Sequence, residues 1–180
     1  RREPTVDGLP AADSLRLVES IRQLIVPREE ELSDFGKLDA SNEAANTVTR
    51  GVQHKYPDTV LLLCNEVCGA YCRYCFRKRL FMNGNDEATF NVEPGIQYIA
   101  QHPEVTNVLL TGGDPLLMST PRIRKILESL RAIEHVKIIR IGSKMPAFNP
   151  WRILDDTELQ KTLAEFSTPY KRIYLMAHFD

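Results

Sequence analysis

Short apolar segments alternate with amphipathic segments through most of the chain, and this alternation constrains the fold more than any other feature. Continuous or alternating apolar runs predict strands at residues 60–65, 107–110, 136–141 and 172–177. Apolar residues at helical spacing predict helices at residues 94–101, 121–131 and 157–166. Strands that alternate with helices form parallel sheets, so we predict an α/β fold built from βα units.

The residues at two predicted helix starts support these boundaries. Thr120 is the expected N-cap of the second helix, and Pro121 follows it at a position where its missing N–H costs nothing. Asp155 and Asp156 precede the third helix, whose N-terminus favours negative charge.

The first third of the chain has a different character. Residues 12–26 have helical apolar spacing, with Asp13 or Ser14 as the expected cap. Residues 27–58 are polar and partly acidic, and we expect them to be irregular. We therefore predict two regions, a helical and irregular N-terminal extension at 1–55 and an α/β core at 56–180.

Composition excludes several classes of protein. The 180 residues are 43% hydrophobic and 26% charged, which is typical of a globular domain. A net charge of −1 disfavours binding to nucleic acid. The apolar run at residues 60–64 is far shorter than the ~20 residues that span a membrane. No apolar stretch follows the first residues, so we expect no signal peptide.

All four cysteines lie within 12 residues of one another. Secreted disulfide frameworks spread their cysteines along the chain, so this crowding predicts a metal site in a reducing, cytoplasmic environment. Cys68, Cys72 and Cys75 form the pattern CxxxCxxC. Three thiolates can hold three irons of a [4Fe–4S] cluster and leave the fourth iron for a small molecule.

Two other interpretations of this spacing are open. Spacings of four and three residues place the three cysteines on one face of a helix, where they would only pack. A zinc ion with His54 or His178 as fourth ligand is the other alternative. Cys64 lies in the preceding apolar run, and we expect it to pack rather than to bind metal.

A glycine-rich turn follows the predicted strand at 107–110. Gly112 and Gly113 allow the backbone to approach a ligand closely, and Asp114 offers an acceptor to an ammonium group. A plain strand-to-helix turn uses the same residue types and is the alternative. Because the carboxyl ends of parallel strands meet at one edge, we expect this turn and the cysteine segment to open on the same face.

These motifs together resemble the lysine 2,3-aminomutase family of radical S-adenosylmethionine enzymes. The resemblance rests on three segments in order, residues 68–79, 111–116 and 140–144, and on an aromatic residue, Tyr74, before the last cysteine. The stretch at 54–58, His-Lys-Tyr-Pro-Asp, is similar to the lead-in of that family. The similarity extends over residues 50–180.

The resemblance implies the N-terminal portion of a partial (β/α)6 barrel. It implies an enzyme in which a [4Fe–4S] cluster on Cys68, Cys72 and Cys75 cleaves S-adenosylmethionine. The resulting 5′-deoxyadenosyl radical abstracts hydrogen from the substrate. The implied activity is that of an aminomutase, an isomerase that acts on lysine or a related amino acid.

The resemblance also assigns residues to the cofactor and the substrate. The residues implied to line the S-adenosylmethionine site are Tyr74 near the adenine, Gly112, Gly113 and Asp114 at the methionyl amino group, and Ser143, Lys144 and His178 elsewhere. Arg77 corresponds to an arginine whose guanidinium binds the substrate carboxylate. A solvated basic loop is the alternative for Arg73 and Arg77 and the expectation for Lys78 and Arg79.

Several features depart from the family pattern. Family members bind pyridoxal phosphate through a lysine in a glycine-rich C-terminal stretch that these residues do not contain, so we expect that cofactor only in a longer parent protein. Lys55 and Tyr56 fit its phosphate site, but Thr59 stands where an arginine is expected. Lys144 likewise replaces an arginine. The last predicted strand has an open edge, so we expect a fragment.

Two alternatives to an aminomutase follow from these departures. One is a family member that uses no pyridoxal phosphate and performs other radical chemistry. The other is a non-catalytic module that binds a metal but does not cleave S-adenosylmethionine. The expected partners are a small amino-acid substrate, an electron donor such as a reductase or flavodoxin, and a second copy of the chain.

Overall fold

The computed structural model describes residues 7–26, 28–33, 35–72, 74–81 and 87–179. The chain divides into two compact units. The smaller unit contains Arg1–Lys37 and Tyr71–Cys75, and the larger contains Leu38–Ala70 and Phe76–Asp180. No described helix is long and apolar enough to cross a membrane.

The smaller unit contains helix α1, Ala11–Ile25, and a short 3-10 helix, Glu29–Leu32. The prediction of a helix here is confirmed, but the predicted cap at Asp13 or Ser14 is wrong. The carbonyl of Pro10 accepts the backbone N–H groups of both residues, so the helix begins earlier. Asp13 instead lies in the first turn, where its charge is favourable.

The larger unit contains one six-stranded sheet with its strands in chain order. The strands are β1 (Thr47–Thr49), β2 (Val52–Tyr56), β3 (Thr59–Asn65), β4 (Asn107–Gly112), β5 (Ile138–Ser143) and β6 (Arg172–Ala177). The four strands β3 to β6 pair in parallel. The predicted α/β fold is thus confirmed, with each of the four predicted strands present.

Helices connect the parallel strands. They are α2 (Glu93–Gln101), α3 (Thr120–Ala132), α4 (Met145–Phe148), α5 (Trp151–Leu154) and α6 (Thr157–Phe166). The three predicted helices are confirmed, and α4 and α5 are short additions. The predicted N-cap of α3 is displaced by one residue, since Ser119 occupies that position and Thr120 is helical.

The prediction that residues 27–58 are irregular is wrong for β1 and β2. Strands β1 and β2 form an antiparallel hairpin, and β2 pairs with β3. The turn between β1 and β2 is Arg50-Gly51, in which Gly51 has φ +82°. Both strands are short and mostly polar, so neither has the apolar run by which β3 was predicted.

The two faces of the sheet have different surroundings. The side chains of Val60, Leu62 and Cys64 on β3 join the main core, which the buried side of α3 completes with Ile123 and Leu127 among others. Leu61 and Leu63 belong to a second, smaller cluster with Leu80 and Ala88. This alternation along β3 is the period of two that places successive side chains on opposite faces.

Strand β6 lies at the end of the sheet and pairs only with β5 among the described strands. The predicted open edge is therefore present. Tyr174, Leu175 and Met176 on this strand are exposed.

Asp156 begins helix α6, as predicted. Its carboxylate accepts the backbone N–H of Leu159 at 2.8 Å and the hydroxyl of Thr120 at 2.6 Å. The Thr120 hydroxyl first, and then the Leu159 N–H and Arg152, lower the pKa of Asp156. We expect Asp156→Ala to reduce the free energy of unfolding by about 1–2 kcal/mol, measured by urea denaturation.

The adjacent, exposed Asp155 supplies the matched control. We expect Asp155→Ala to change the free energy of unfolding by less than about 0.5 kcal/mol. Equal losses of unfolding free energy in the two variants would show that the cap formed by Asp156 does not stabilise the helix.

Candidate cofactor site at the strand ends

The carboxyl ends of β3, β4 and β5 lie side by side, because the three strands are parallel neighbours. Asn65 at the end of β3 is in register with Gly112 at the end of β4. Ser143 is the last residue of β5. Cys68 follows β3 by three residues, so the first predicted cluster ligand and the glycine-rich turn leave the same edge of the sheet.

The segments that follow β3 and β4 are bonded to each other through their backbones. The N–H of Gly113 donates to the carbonyl of Asn65 at 2.7 Å, and the N–H of Asp114 donates to the carbonyl of Val67 at 2.8 Å. The side-chain amide of Asn65 donates to the carbonyls of Val67 and Asp114, at 2.9 and 2.6 Å. The glycine-rich turn therefore fixes the backbone that leads into Cys68.

Both glycines are required by this close approach. Gly112 has φ +104°, and a Cβ there would lie 2.6 Å from the carbonyl oxygen of Asn65. A Cβ on Gly113 would lie 2.1 Å from the carbonyl oxygen of Val67. The sequence predicts that these two glycines let a ligand approach the backbone closely. The close neighbour in the structure is instead the chain's own segment from Asn65 to Val67.

The Asp114 carboxylate is buried, with 7% of the residue exposed, and joins β4 to β5. It accepts the Ser143 hydroxyl at 2.7 Å, the Lys144 backbone N–H at 2.8 Å and the Leu116 backbone N–H at 3.0 Å. The carbonyl of Ser143 in turn accepts the backbone N–H of His178 at 3.0 Å.

These bonds bring together six of the predicted cofactor-site residues, Gly112, Gly113, Asp114, Ser143, Lys144 and His178. The last of them enters through its backbone, and its side chain is exposed. Tyr74 is also exposed. Its assignment to the adenine stays a prediction.

The three motif cysteines form no disulfide and are half-buried in the structure. Cys68 belongs to the larger unit and Cys72 and Cys75 to the smaller one, in which the Cys75 N–H donates to the Cys72 carbonyl at 3.1 Å. Among the described residues no three His, Cys, Asp or Glu side chains form a group that could hold a metal ion. The ligand set therefore stays a prediction.

Cys64 is completely buried in the main core, as expected of a packing residue. Burial raises the pKa of its thiol to about 12, so the thiolate that binds metals is scarce at neutral pH. His54, an alternative zinc ligand, uses both ring nitrogens elsewhere: Nδ1 lies 2.8 Å from the Tyr98 hydroxyl and Nε2 lies 3.3 Å from the Pro57 carbonyl.

Arg77 lies in an ion-pair network rather than in a solvated loop. Its Nε donates to Glu43 Oε1 at 2.8 Å, and its Nη1 donates to the Thr111 hydroxyl at 2.8 Å. The expectation of a solvated loop is confirmed for Lys78, which is exposed. It is wrong for Arg79, which is buried and bonded to Glu87. Arg73 lies outside the described residues.

A cavity of about 160 Å³ opens beside Arg77. Its lining includes Glu43, Lys55, Tyr56 and Phe76. Thr59, which stands where the family pattern has an arginine, donates to Asp58 at 3.0 Å and is not among the lining residues.

Two residues of this region were not predicted from the sequence. Asn65 holds the turn after β4, and the only signal for it is a polar residue that interrupts the end of an apolar strand. Glu43 pairs with Arg77, and nothing in the polar stretch around it distinguishes it from the other acidic residues there.

The chain is similar to proteins of known family. Residues 57–155 match the 4Fe-4S single cluster domain family. A putative L-lysine 2,3-aminomutase of Aquifex aeolicus is 56% identical over 89% of this chain. The L-lysine 2,3-aminomutases of Fusobacterium nucleatum and Clostridium subterminale are 39% and 35% identical, each also over 89% of this chain.

The chain belongs to the lysine 2,3-aminomutase family. This confirms the family inferred from the three motifs. The 4Fe-4S single cluster match includes the three motif cysteines, the glycine-rich turn, Ser143 and Lys144, but ends before His178. The chain spans less than half the length of these aminomutases, namely 43%, 37% and 38%.

Gly113 gives a direct test of how the two strand ends are packed. We expect Gly113→Ala to lower the free energy of unfolding by about 1–3 kcal/mol or more, because the added methyl group meets backbone atoms that cannot yield. Urea denaturation measures this loss.

Gly142 is the matched control, since a Cβ there would lie 3.6 Å from its nearest neighbour, a Leu109 side-chain carbon. We expect Gly142→Ala to be near neutral. If the two alanine variants unfold at the same urea concentration, the tight packing of Gly113 against Val67 is refuted.

Proposed function

We propose that this chain carries the cluster and S-adenosylmethionine site of a radical enzyme that isomerises an amino acid. The observation that supports the proposal best is the bonded set of strand ends built on Asp114. This set makes one fixed structure of the glycine-rich turn, the end of β5 and the segment that leads to Cys68. A bound [4Fe–4S] cluster would supply the electron that cleaves the sulfonium of S-adenosylmethionine.

The thiols of the motif suit such a cluster. Cys68, Cys72 and Cys75 form no disulfide and are only half-buried, whereas Cys64 is fully buried and the pKa of its thiol is raised. Three thiolate ligands leave one iron without a protein ligand, and that iron can take the amino and carboxylate groups of the cofactor. Both ring nitrogens of His54 are engaged, so of the two histidines suggested as a fourth zinc ligand only His178 would be left for the zinc alternative.

The strand-end residues would position the methionyl group through the backbone. An ammonium group donates hydrogen bonds, so it needs carbonyl oxygens. The N–H groups of Gly113 and Asp114 donate within the chain. We assign the carbonyls of Gly112 and Gly113 as the acceptors for the ammonium group. The Asp114 carboxylate holds Ser143 and Lys144 in place rather than serving as the first acceptor.

The substrate we propose is a small amino acid, with lysine as the first choice because the similar proteins are named for it. Arg77 would bind its carboxylate, as a guanidinium with paired N–H groups does. Lys55 and Tyr56 line the adjacent cavity and fit a phosphate. Thr59, which stands where the family pattern has an arginine, supplies no guanidinium. Pyridoxal phosphate, an external reductase or flavodoxin, and self-association are proposals for the whole protein.

The test is anaerobic reconstitution with iron and sulfide, followed by reduction and electron paramagnetic resonance spectroscopy. We expect a [4Fe–4S]⁺ signal that changes when S-adenosylmethionine is added, and formation of 5′-deoxyadenosine. Cys72→Ala should lose the cluster, since it removes one of three ligands.

Cys64→Ala is the matched control and should keep the cluster, because this thiol is buried and protonated. Circular dichroism checks that both variants fold. A cluster without cleavage would favour the non-catalytic metal module, and equal iron loss in the two variants would overturn the assigned ligand set.

A further inference from the structure

Two arginines that follow the cysteine motif belong to a largely buried network of charges. Its members are Asp39, Glu43, Arg77, Arg79 and Glu87, and the exposed fraction of their side chains ranges from 8% to 25%. Buried charges are stable only when they are paired, so each contact in the network has a structural consequence.

Arg79 is surrounded by carboxylates. Its guanidinium donates to Glu87. Its Nε lies 3.4 Å from Asp39 Oδ1, and its Nη2 lies 3.6 Å from Glu43 Oε2. Its bond to Glu87 is the main reason that the pKa of Glu87 is lowered. Arg79 has three acidic neighbours and is little exposed, so its role is to hold the short helix Lys78–Phe81 in place.

Arg77 has a different environment. Among the described residues, Glu43 is its acidic partner, at 2.8 Å, and the neutral Thr111 hydroxyl is its other hydrogen-bond partner. These two bonds use two of the five N–H donors of a guanidinium. Arg77 also lines the cavity that Lys55 shares, so an anion that enters there meets two cations and one carboxylate.

Glu43 connects the two arginines. Oε1 accepts from Arg77 Nε, and Oε2 faces Arg79. Its backbone N–H donates to Asp39 at 2.8 Å, which fixes the residue itself. Glu43 holds Nε of the Arg77 guanidinium and Thr111 accepts one bond from Nη1, so the plane of the group is set. The other N–H groups on Nη1 and Nη2 are the donors with which a carboxylate ligand can form paired bonds.

We propose that Glu43 is a positioning residue that orients Arg77 to bind the substrate carboxylate. The proposal rests on the proposed function, in which Arg77 contacts that carboxylate. Glu43 acts through Arg77 and does not touch the substrate itself. Removal of its charge should therefore free the guanidinium and weaken recognition of the carboxylate in particular, rather than binding in general.

The first measurement examines Arg77 without any ligand. Nuclear magnetic resonance of arginine Nε–Hε groups in the purified protein should show a slowly exchanging Arg77 signal, assigned by its loss in Arg77→Lys. We expect Glu43→Gln to abolish this protection. Glu165→Gln is the matched control, since it breaks an Arg–Glu pair, that of Arg124, on the exposed surface.

The second measurement compares binding of lysine with binding of cadaverine, which lacks the carboxylate, by calorimetry. We expect Glu43→Gln to reduce the preference for lysine about 10-fold to 100-fold, by analogy with the loss of a residue that orients a metal ligand. Glu165→Gln should leave it unchanged. If Glu43→Gln fails to fold, Glu43→Asp, which keeps the charge at shorter reach, should give an intermediate loss of both readouts.

The outcomes separate the two proposals. An Arg77 signal that stays protected in Glu43→Gln overturns the positioning role, whatever the ligand does. An unchanged preference for lysine in Arg77→Lys, or no preference in the wild type, instead overturns the assignment of Arg77 to the carboxylate. Both proposals are supported if Glu43→Gln loses the protection of the Arg77 signal and the preference for lysine, while Glu165→Gln keeps both.

Discussion

The buried carboxylate of Asp114 is the interaction on which the proposed site depends. It accepts the Ser143 hydroxyl and the Lys144 N–H from the neighbouring strand end, while the backbone of the same turn bonds Asn65 and Val67. A buried carboxylate is stable only when such donors satisfy it. The ends of β3, β4 and β5 are therefore fixed together, and the segment that leads to Cys68 is held by the same set of bonds.

The two faces of the sheet pack against different parts of the molecule. One face carries the main core with α3 and contains Cys64, whose burial keeps its thiol protonated. Leu61, on the other face, lines the cavity beside Arg77. Cys64 therefore differs in chemistry from the motif cysteines, which lie beyond the end of β3 and are half-buried. Arg77 and Arg79, two residues apart, also differ: Arg79 is surrounded by carboxylates, whereas Arg77 borders the cavity.

Much of this structure could be predicted from the sequence where a strong local signal exists. The apolar runs of β3 and β4, the spacing of α3 and α6 and the cap at Asp156 are such signals. The β1–β2 hairpin was missed because its strands are short and polar and are stabilised by pairing with β3. The roles of Asn65 and Glu43 depend on contacts between residues distant in sequence, Asp114 for one and Arg77 for the other, which no local pattern reports. The need for Gly113 was predicted, but its reason, the Val67 carbonyl, was not.

We propose that these strand ends position the amino group of S-adenosylmethionine at an iron held by Cys68, Cys72 and Cys75. Electron–nuclear double resonance of the reduced protein, with the methionyl nitrogen of the cofactor labelled as ¹⁵N, tests it most directly. We expect a ¹⁵N hyperfine coupling to the cluster, which requires the amino group to lie at the iron. A reduced cluster that binds the labelled cofactor without any ¹⁵N coupling would contradict it.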